Sequence, residues 1–265
     1  MENTTMFKIR TTAFMTAILL IIAVLSMTVS AHENAANDEV ILTIIHINDV
    51  HGRTDAEPYI AKIASEIKGN GGNVLVLDGG DRLHGQVAAN LTKGESMVRI
   101  MNAVGYDAIV PGNHDFNFGA DRLVELSAKM DFPLLTANIK DNAGEVLFAP
   151  YKVFDFGDLT VGVFGISTPE TPQKTSVEAT AGLTFENPAA IAATMVATLQ
   201  GEGCDVIIAL AHLGDDESTL AENRSSVLAL PGVDAVIDGH SHTLLENGNL
   251  IGENVLVAQT GGFAG

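Results

Sequence analysis

Apolar residues recur along the chain with two alternating periods. Ile41 to Ile47, Asn73 to Leu77, Ala108 to Val110, Val161 to Ile166, Val206 to Ala211, Ala235 to Ile237 and Val255 to Ala258 are short runs that predict strands, several buried on both faces. Between them the spacing lengthens. Ile60, Ile63, Ala64 and Ile67 follow the i, i+3, i+4, i+7 pattern of one helical face, as do Met97, Ile100, Met101 and Val104. Residues 119–130 and 187–200 predict two more helices, the second with Asn187 as its cap and Pro188 in its first turn. Strand–helix alternation implies an α/β fold with a largely parallel sheet or sheets. No linker is long enough to divide it.

Polar residues gather where the predicted strands stop. Asn48-Asp49-Val50-His51-Gly52-Arg53 follows the first run and Asp78-Gly79-Gly80-Asp81 the second. Pro111-Gly112-Asn113-His114-Asp115, His212-Leu213-Gly214 and Asp238-Gly239-His240-Ser241-His242 follow three others. In open α/β sheets the carboxyl edge of the strands is where ligands bind. A single Asp-X-His or Gly-Asp is ordinary turn chemistry. Jointly, however, these clusters hold five of the eight histidines. His46, inside a strand, and His84, after the second cluster, read as structural or peripheral, and His32 begins the mature chain.

Near the amino terminus, Lys8 and Arg10 precede an apolar stretch from Ala13 to Val29 that ends Val29-Ser30-Ala31. That pattern predicts residues 1–31 to be a secretory signal cut after Ala31, with an uncleaved membrane anchor as the alternative. Either way the folded part, residues 40–265, is expected outside the cytoplasm: extracellular, periplasmic or on the cell surface. Lys plus Arg number 14 against 33 Asp plus Glu, a formal charge of -19, which argues against a duplex nucleic-acid binder. The single cysteine, Cys204, excludes an intrachain disulfide framework and any multi-cysteine zinc or iron–sulfur site. It abuts the apolar run Asp205 to Leu210 and is expected to be buried.

Carboxylate, imidazole and amide donors without thiolate suit zinc, manganese, iron(II), cobalt or magnesium. Asp49, His51, Asp81, Asn113, His212, His240 and His242 make seven candidate ligands, more than one four-coordinate ion uses. They point to two divalent ions sharing a bridging carboxylate, roughly 3.5–4 Å apart. Only Asp49 and Asp81 among them are anionic, so the loaded cluster would keep a positive surplus on an acidic protein. Phosphate-ester hydrolysis is the reaction class that most needs an activated water and charge neutralisation together. The chain has neither a Gly-X-Ser-X-Gly elbow nor a Gly-Lys-Ser/Thr phosphate loop.

These residues resemble the calcineurin-like metallophosphoesterases. Ile47-Asn48-Asp49-Val50-His51-Gly52, Gly112-Asn113-His114-Asp115-Phe116-Asn117-Phe118-Gly119 and Gln259-Thr260-Gly261-Gly262 look like the catalytic domain of the bacterial 5′-nucleotidase / UDP-sugar hydrolase branch. The resemblance implies a four-layer α/β/β/α sandwich. It implies one metal held by Asp49, His51, Asp81 and His242 and another by Asp81, Asn113, His212 and His240, with Asp81 bridging. His114 would face the phosphoryl group while a metal-activated water attacks phosphorus in line. Two departures stand out. Many members carry Asp where this chain has Asn117, whereas members acting on 2′,3′-cyclic nucleotides often carry Asn. The family also continues into a second domain that stacks the nucleobase, and Gly265 falls just past the last motif, so a catalytic domain truncated before that domain is expected. Three readings follow: a nucleotide phosphoesterase of the 5′-nucleotidase type, a 2′,3′-cyclic-nucleotide 2′-phosphodiesterase with 3′-nucleotidase activity, and an inactive surface binding module. No residue is singled out for base recognition.

Overall fold

In the computed structural model of the chain, residues 18–20, 24–30, 39–251 and 255–263 are described. Its first half runs β1 (Ile18–Leu20), β2 (Val24–Ser30), β3 (Glu39–Ile47), α1 (Glu57–Gly69), β4 (Asn73–Asp78), α2 (Val87–Leu91), α3 (Glu95–Val104), β5 (Ala108–Ile109) and α4 (Ala120–Ser127). There follow β6 (Ile139–Lys140), β7 (Tyr151–Asp155), β8 (Thr160–Ser167), α5 (Thr171–Lys174), β9 (Thr184–Phe185) and α6 (Pro188–Gly201). The last elements are β10 (Val206–His212), β11 (Ala235–Ile237), β12 (Asn249–Ile251) and β13 (Val255–Ala258).

Two main sheets form. The first has the order β1-β2-β3-β4-β5, with β3, β4 and β5 parallel. The second has the order β12-β13-β11-β10-β8-β7, parallel through β13, β11, β10 and β8 and closed by antiparallel edges. A small ribbon pairs β6 with β9.

Period-two alternation decides the layering, because successive side chains of a strand point to opposite faces. Leu42, Ile44, Leu75 and Leu77 of the first sheet share one core with Val161, Val163, Val206, Ile208 and Leu210 of the second. Their neighbours Ile45, Ile47, Val74 and Val76 turn the other way, onto Ile60 of α1, Met97 and Met101 of α3 and Leu123 of α4. On the far side, Ile207, Ala209, Val236 and Val257 pack against Ala192, Val196 and Leu199 of α6. The fold is therefore the expected α/β/β/α sandwich, with helices outside and two sheets inside. The cap expected for α6 is present: Asn187 Oδ1 accepts from the Ala190 N–H at 3.0 Å, with Pro188 in the first turn.

The structure adds an edge strand to the sequence reading and departs from it at Cys204. The edge strand β7 was not predicted, since Lys152 and Asp155 interrupt its apolar pattern and only one partner, β8, defines it. Cys204 is half-buried rather than buried. It lies two residues before β10, beside a shallow depression that Gln200, Asp205 and Asp234 also line. Most of the expected export segment, residues 1–31, lies outside the described residues; its described parts are β1 and β2, and β2 pairs antiparallel with β3. Among the described residues no helix is long and apolar enough to cross a membrane.

All the clusters singled out in the sequence follow carboxyl ends of parallel strands of one sheet or the other, and the shared core brings those ends to one side. Gly165 in β8 lies hard against neighbouring backbone: a Cβ there would lie 2.0 Å from the Leu135 carbonyl oxygen. Gly165→Ala is expected to destabilise the chain by about 1–3 kcal/mol through overpacking, read as a lower urea midpoint with an unchanged slope.

Candidate metal centre

The backbone of the site is unusual before any side chain is considered. Among the described residues seven other than glycine have positive φ, and five of these are Asp49 (52°), His51 (48°), Asp81 (56°), His240 (77°) and His242 (53°). Such a conformation costs about 1–3 kcal/mol per residue and persists only where surrounding structure imposes it. Close backbone approach is part of the arrangement: a Cβ on Gly112 would fall 2.2 Å from Asp81 Oδ1.

Buried polar side chains impose the strain. The Asp115 carboxylate accepts from the N–H groups of Asp81, Arg82, Leu83 and Gly112 at 2.7–2.9 Å, tying the loop after β4 to the loop after β5. Asp238 does the same for β10 and β13, accepting from Leu213 N at 2.8 Å, Gly214 N at 3.0 Å and Gln259 Nε2 at 3.2 Å. Asn48 joins the two sheets: its Oδ1 accepts from Thr260 N at 2.8 Å and its Nδ2 donates to Gly261 O at 2.6 Å. Beneath the β4 loop, fully buried Arg82 pairs with Glu57 and donates to the Tyr106 hydroxyl at 2.8 Å, with Asp78 Oδ2 3.5 Å from its Nε.

Held this way, the donor atoms converge. Asp81 Oδ2 lies 3.5 Å from His212 Nε2 and 3.9 Å from His51 Nε2, between the two rings. Asp49 Oδ1 lies 3.3 Å from His242 Nε2 and 4.0 Å from His212 Nε2. One set of mutually close donor atoms comes from Asp49, His51 and His242, and another from Asp49, Asp81 and His212. His240 stands beside His212, ring centroids 5.1 Å apart, and its backbone N–H donates to Asp49 Oδ2 at 2.9 Å. Asn113 lines the same cleft, a space of about 530 Å³ shared with His51, Asp81, His114, His240 and His242.

The charges explain what this cluster lacks by itself. Burial alone would keep His212 neutral, yet the Asp81 and Asp49 carboxylates overcome it and lift the imidazole to about 10. Although burial pushes Asp81 up, His212 and its neighbouring histidines hold it below the usual carboxylate range. The adjacent Asp49 carboxylate raises His242. Burial dominates at His51 and His240 and lowers both, His240 to about 4. Three buried polar atoms here have no hydrogen-bond partner: Asp49 Oδ1, Asn113 Oδ1 and His212 Nε2. Each offers a lone pair once the ring is neutral. Moreover, His212 Nδ1 lies 2.6 Å from the Gly79 carbonyl, so the bond there leaves Nε2 as the free ring nitrogen. Orphaned oxygen and nitrogen donors beside two carboxylates fit divalent cations.

The profile of the calcineurin-like phosphoesterases matches residues 42–244. The chain belongs to that family. Calcineurin-like phosphoesterases are metal-dependent phosphoric ester hydrolases, and this is the domain the chain carries. It is 34% identical to the 5′-nucleotidase of Bos taurus over 231 residues, covering 78% of this chain and 39% of that protein. It is likewise 34% identical to the 5′-nucleotidase of Vibrio cholerae, covering 80% of the chain and 42% of the relative. The solved 5′-nucleotidase precursor from Thermus thermophilus superimposes with a TM-score of 0.70 at 27% identity, over 84% of this chain and 49% of that one. The chain thus spans less than half the length of these relatives.

In this phosphoesterase domain all seven sequence-derived candidates lie at one site. His114 joins them, its N–H donating to Asp81 Oδ1 at 2.7 Å and its ring edge-on to His51 at 5.3 Å. His46 is buried within β3 and lowered to about 4 by that burial, in keeping with a structural role. His84 departs from its peripheral reading: it lines the cleft and stacks on His114, 5.9 Å between centroids and 12° between planes. Arg82, Lys174 and Phe263 were not anticipated. Lys174 lines the cleft, while Phe263 packs on His51 and His242 at 5.1 and 5.0 Å. Arg82 has a signal in hindsight, a cation one residue past a donor cluster, but nothing local reveals that its partner is Glu57.

A cation must displace the His212 proton. With that imidazole raised to about 10 by the two carboxylates, a cation taken up at its Nε2 is expected to release a proton and to bind more tightly as pH rises. Calorimetric titration with zinc in two buffers of different ionisation enthalpy is expected to show that release. Affinity is expected to climb toward about tenfold per pH unit between pH 7 and 9 for one displaced proton.

Proposed function

We propose that the chain hydrolyses the phosphate ester of nucleoside 5′-monophosphates at a centre of two divalent ions. Asp49, His51, Asp81 and His242 would hold one ion, and Asp81, Asn113, His212 and His240 the other. The observation that carries this reading is that the orphaned Asp49 Oδ1 and His212 Nε2 lie 4.0 Å apart, with Asp81 Oδ2 3.5 Å from that nitrogen, while Asn113, whose Oδ1 is also orphaned, lines the same cleft as Asp81. When bound, such ions neutralise phosphoryl charge and activate water near neutral pH; zinc, manganese, magnesium, cobalt and iron(II) all suit the donor set.

The chain's own residues do the rest. Asp115, Asp238 and Asn48 fix the donors so that little reorganisation remains when substrate arrives. His114 faces the cleft and hydrogen-bonds a phosphoryl oxygen. Its contact to Asn117, Nδ2 3.0 Å from the ring Nδ1, supports a second reading, a 2′,3′-cyclic-nucleotide phosphodiesterase with 3′-nucleotidase activity, because the side chain beside the ring is an amide and not a carboxylate. Relatives named 5′-nucleotidase favour the first reading. The charged-then-apolar pattern of residues 1–31 supports action outside the cytoplasm on a small nucleotide.

Excess EDTA is expected to abolish turnover of a generic aryl phosphate, and manganese or zinc to restore it; undiminished turnover in EDTA contradicts the mechanism. Asp81→Asn is expected to cost more than the 10–100-fold typical of residues one shell removed from a metal, and His84→Ala less than that. Equal losses would mean that the shared ligand is misassigned. AMP turned over faster than 2′,3′-cyclic AMP supports the first reading, the reverse order the second, and no turnover of either with metal bound the inactive module.

A further inference from the structure

Among the described residues that line the cleft, Lys174 is the one lysine or arginine. It is the last residue of α5, a short helix tied to two loops of the site. The helix lies against the turn Asn113–Phe116, and the Thr175 and Asn117 side chains meet at 2.9 Å. Just before it, buried Glu170 accepts at Oε1 from the Leu220 N–H at 3.0 Å and from Asn223 Nδ2 at 3.3 Å, both beyond β10. Thr171 is buried, and its hydroxyl donates to Thr168 O at 2.7 Å. The frame of α5 is thus fixed while the lysine side chain that it carries is loosely held. Its ion-pair contact is Glu170 Oε2, 3.9 Å from Nζ, and the lysine side chain is 40% exposed.

An exposed pair at that distance contributes little, so the ammonium gives it up at small cost. A lysine head is a compact charge on a flexible stem and binds phosphate as a point charge. On a chain of net charge -19 an incoming anion meets few cations, and this one stands at the cleft. We propose that Lys174 is a substrate-binding residue whose ammonium exchanges Glu170 for a nonbridging oxygen of the phosphoryl group in the cleft. It reads the phosphate anion and not the nucleoside attached to it. The inference deepens the phosphoesterase reading and rests on it.

Calorimetric titration of inorganic phosphate and, separately, of adenosine into the zinc-loaded full chain tests the contact without turnover. Lys174→Met is expected to weaken phosphate about tenfold, the loss of one hydrogen bond to a charged group, and to leave adenosine within about twofold. Lys174→Arg keeps the charge and is expected within about threefold of the wild type. In turnover, KM of Lys174→Met is expected to rise alike for AMP and p-nitrophenyl phosphate, which share only the phosphoryl group, with the urea midpoint unchanged. Phosphate affinity that is intact in Lys174→Met, or lost equally in Lys174→Arg, overturns the proposal. So does a KM that rises for AMP alone, which would assign the lysine to the nucleoside. Lys174-dependent phosphate binding in a zinc-loaded chain that hydrolyses neither ester would uphold the contact and sink the phosphoesterase reading instead.

Discussion

Two carboxylates, Asp49 and Asp81, are buried in one small volume with their oxygens aimed at the same imidazoles, and the rest of the site answers to that crowding. Like charges in a low dielectric repel strongly unless positive charge stands between them. In the metal-free chain a proton on His212 meets part of that demand, which is why its affinity for the proton rises so far against burial. Divalent ions meet it more completely. Proton and metal thus compete for one electrostatic role, and the unsatisfied Asp49 and Asn113 oxygens mark what the proton alone leaves undone.

Keeping such groups together requires a frame that does not relax away from them. The sandwich supplies it in two steps. Its shared core fixes the carboxyl ends of β3, β4 and β5 relative to those of β10 and β11. Buried side chains then bind the loops to one another, so that five donor residues stay in left-handed backbone that they would leave if free. Asp115, Asp238 and Asn48 spend their hydrogen-bonding capacity on backbone N–H and C=O groups, and this distinguishes them from the donors, whose free atoms point inward.

Much of this is legible in the chain itself. Strands buried on both faces leave long apolar runs, helices leave a 3.6-residue stripe, and glycine beside Asp and His marks where strands give way to close-approaching loops. What local pattern does not carry is partnership across distance. Asp81 and Asp115 look alike as residues following glycine or histidine, yet one presents an oxygen to His212 and the other accepts from four backbone amides. His84 reads as peripheral because its neighbours in sequence are ordinary loop residues; its stacking on His114 arises from a turn of the chain that no periodicity encodes. Thr175 and Arg82 escape notice for the same reason, their partners lying 58 and 25 positions away.

The link from Asn48 to Thr260 and Gly261 spans more than two hundred positions. A ribosome makes Asp49, His51 and Asp81 well before His212, His240 and His242, so the early donors wait for the second sheet to dock. Loop closure over such distances is slow and precedes its reward. Cation capture therefore serves as a timestamp for the end of folding: a fluorescent or paramagnetic ion would report its arrival only after the late strands have registered, and a chain that stalls midway would betray itself by staying silent.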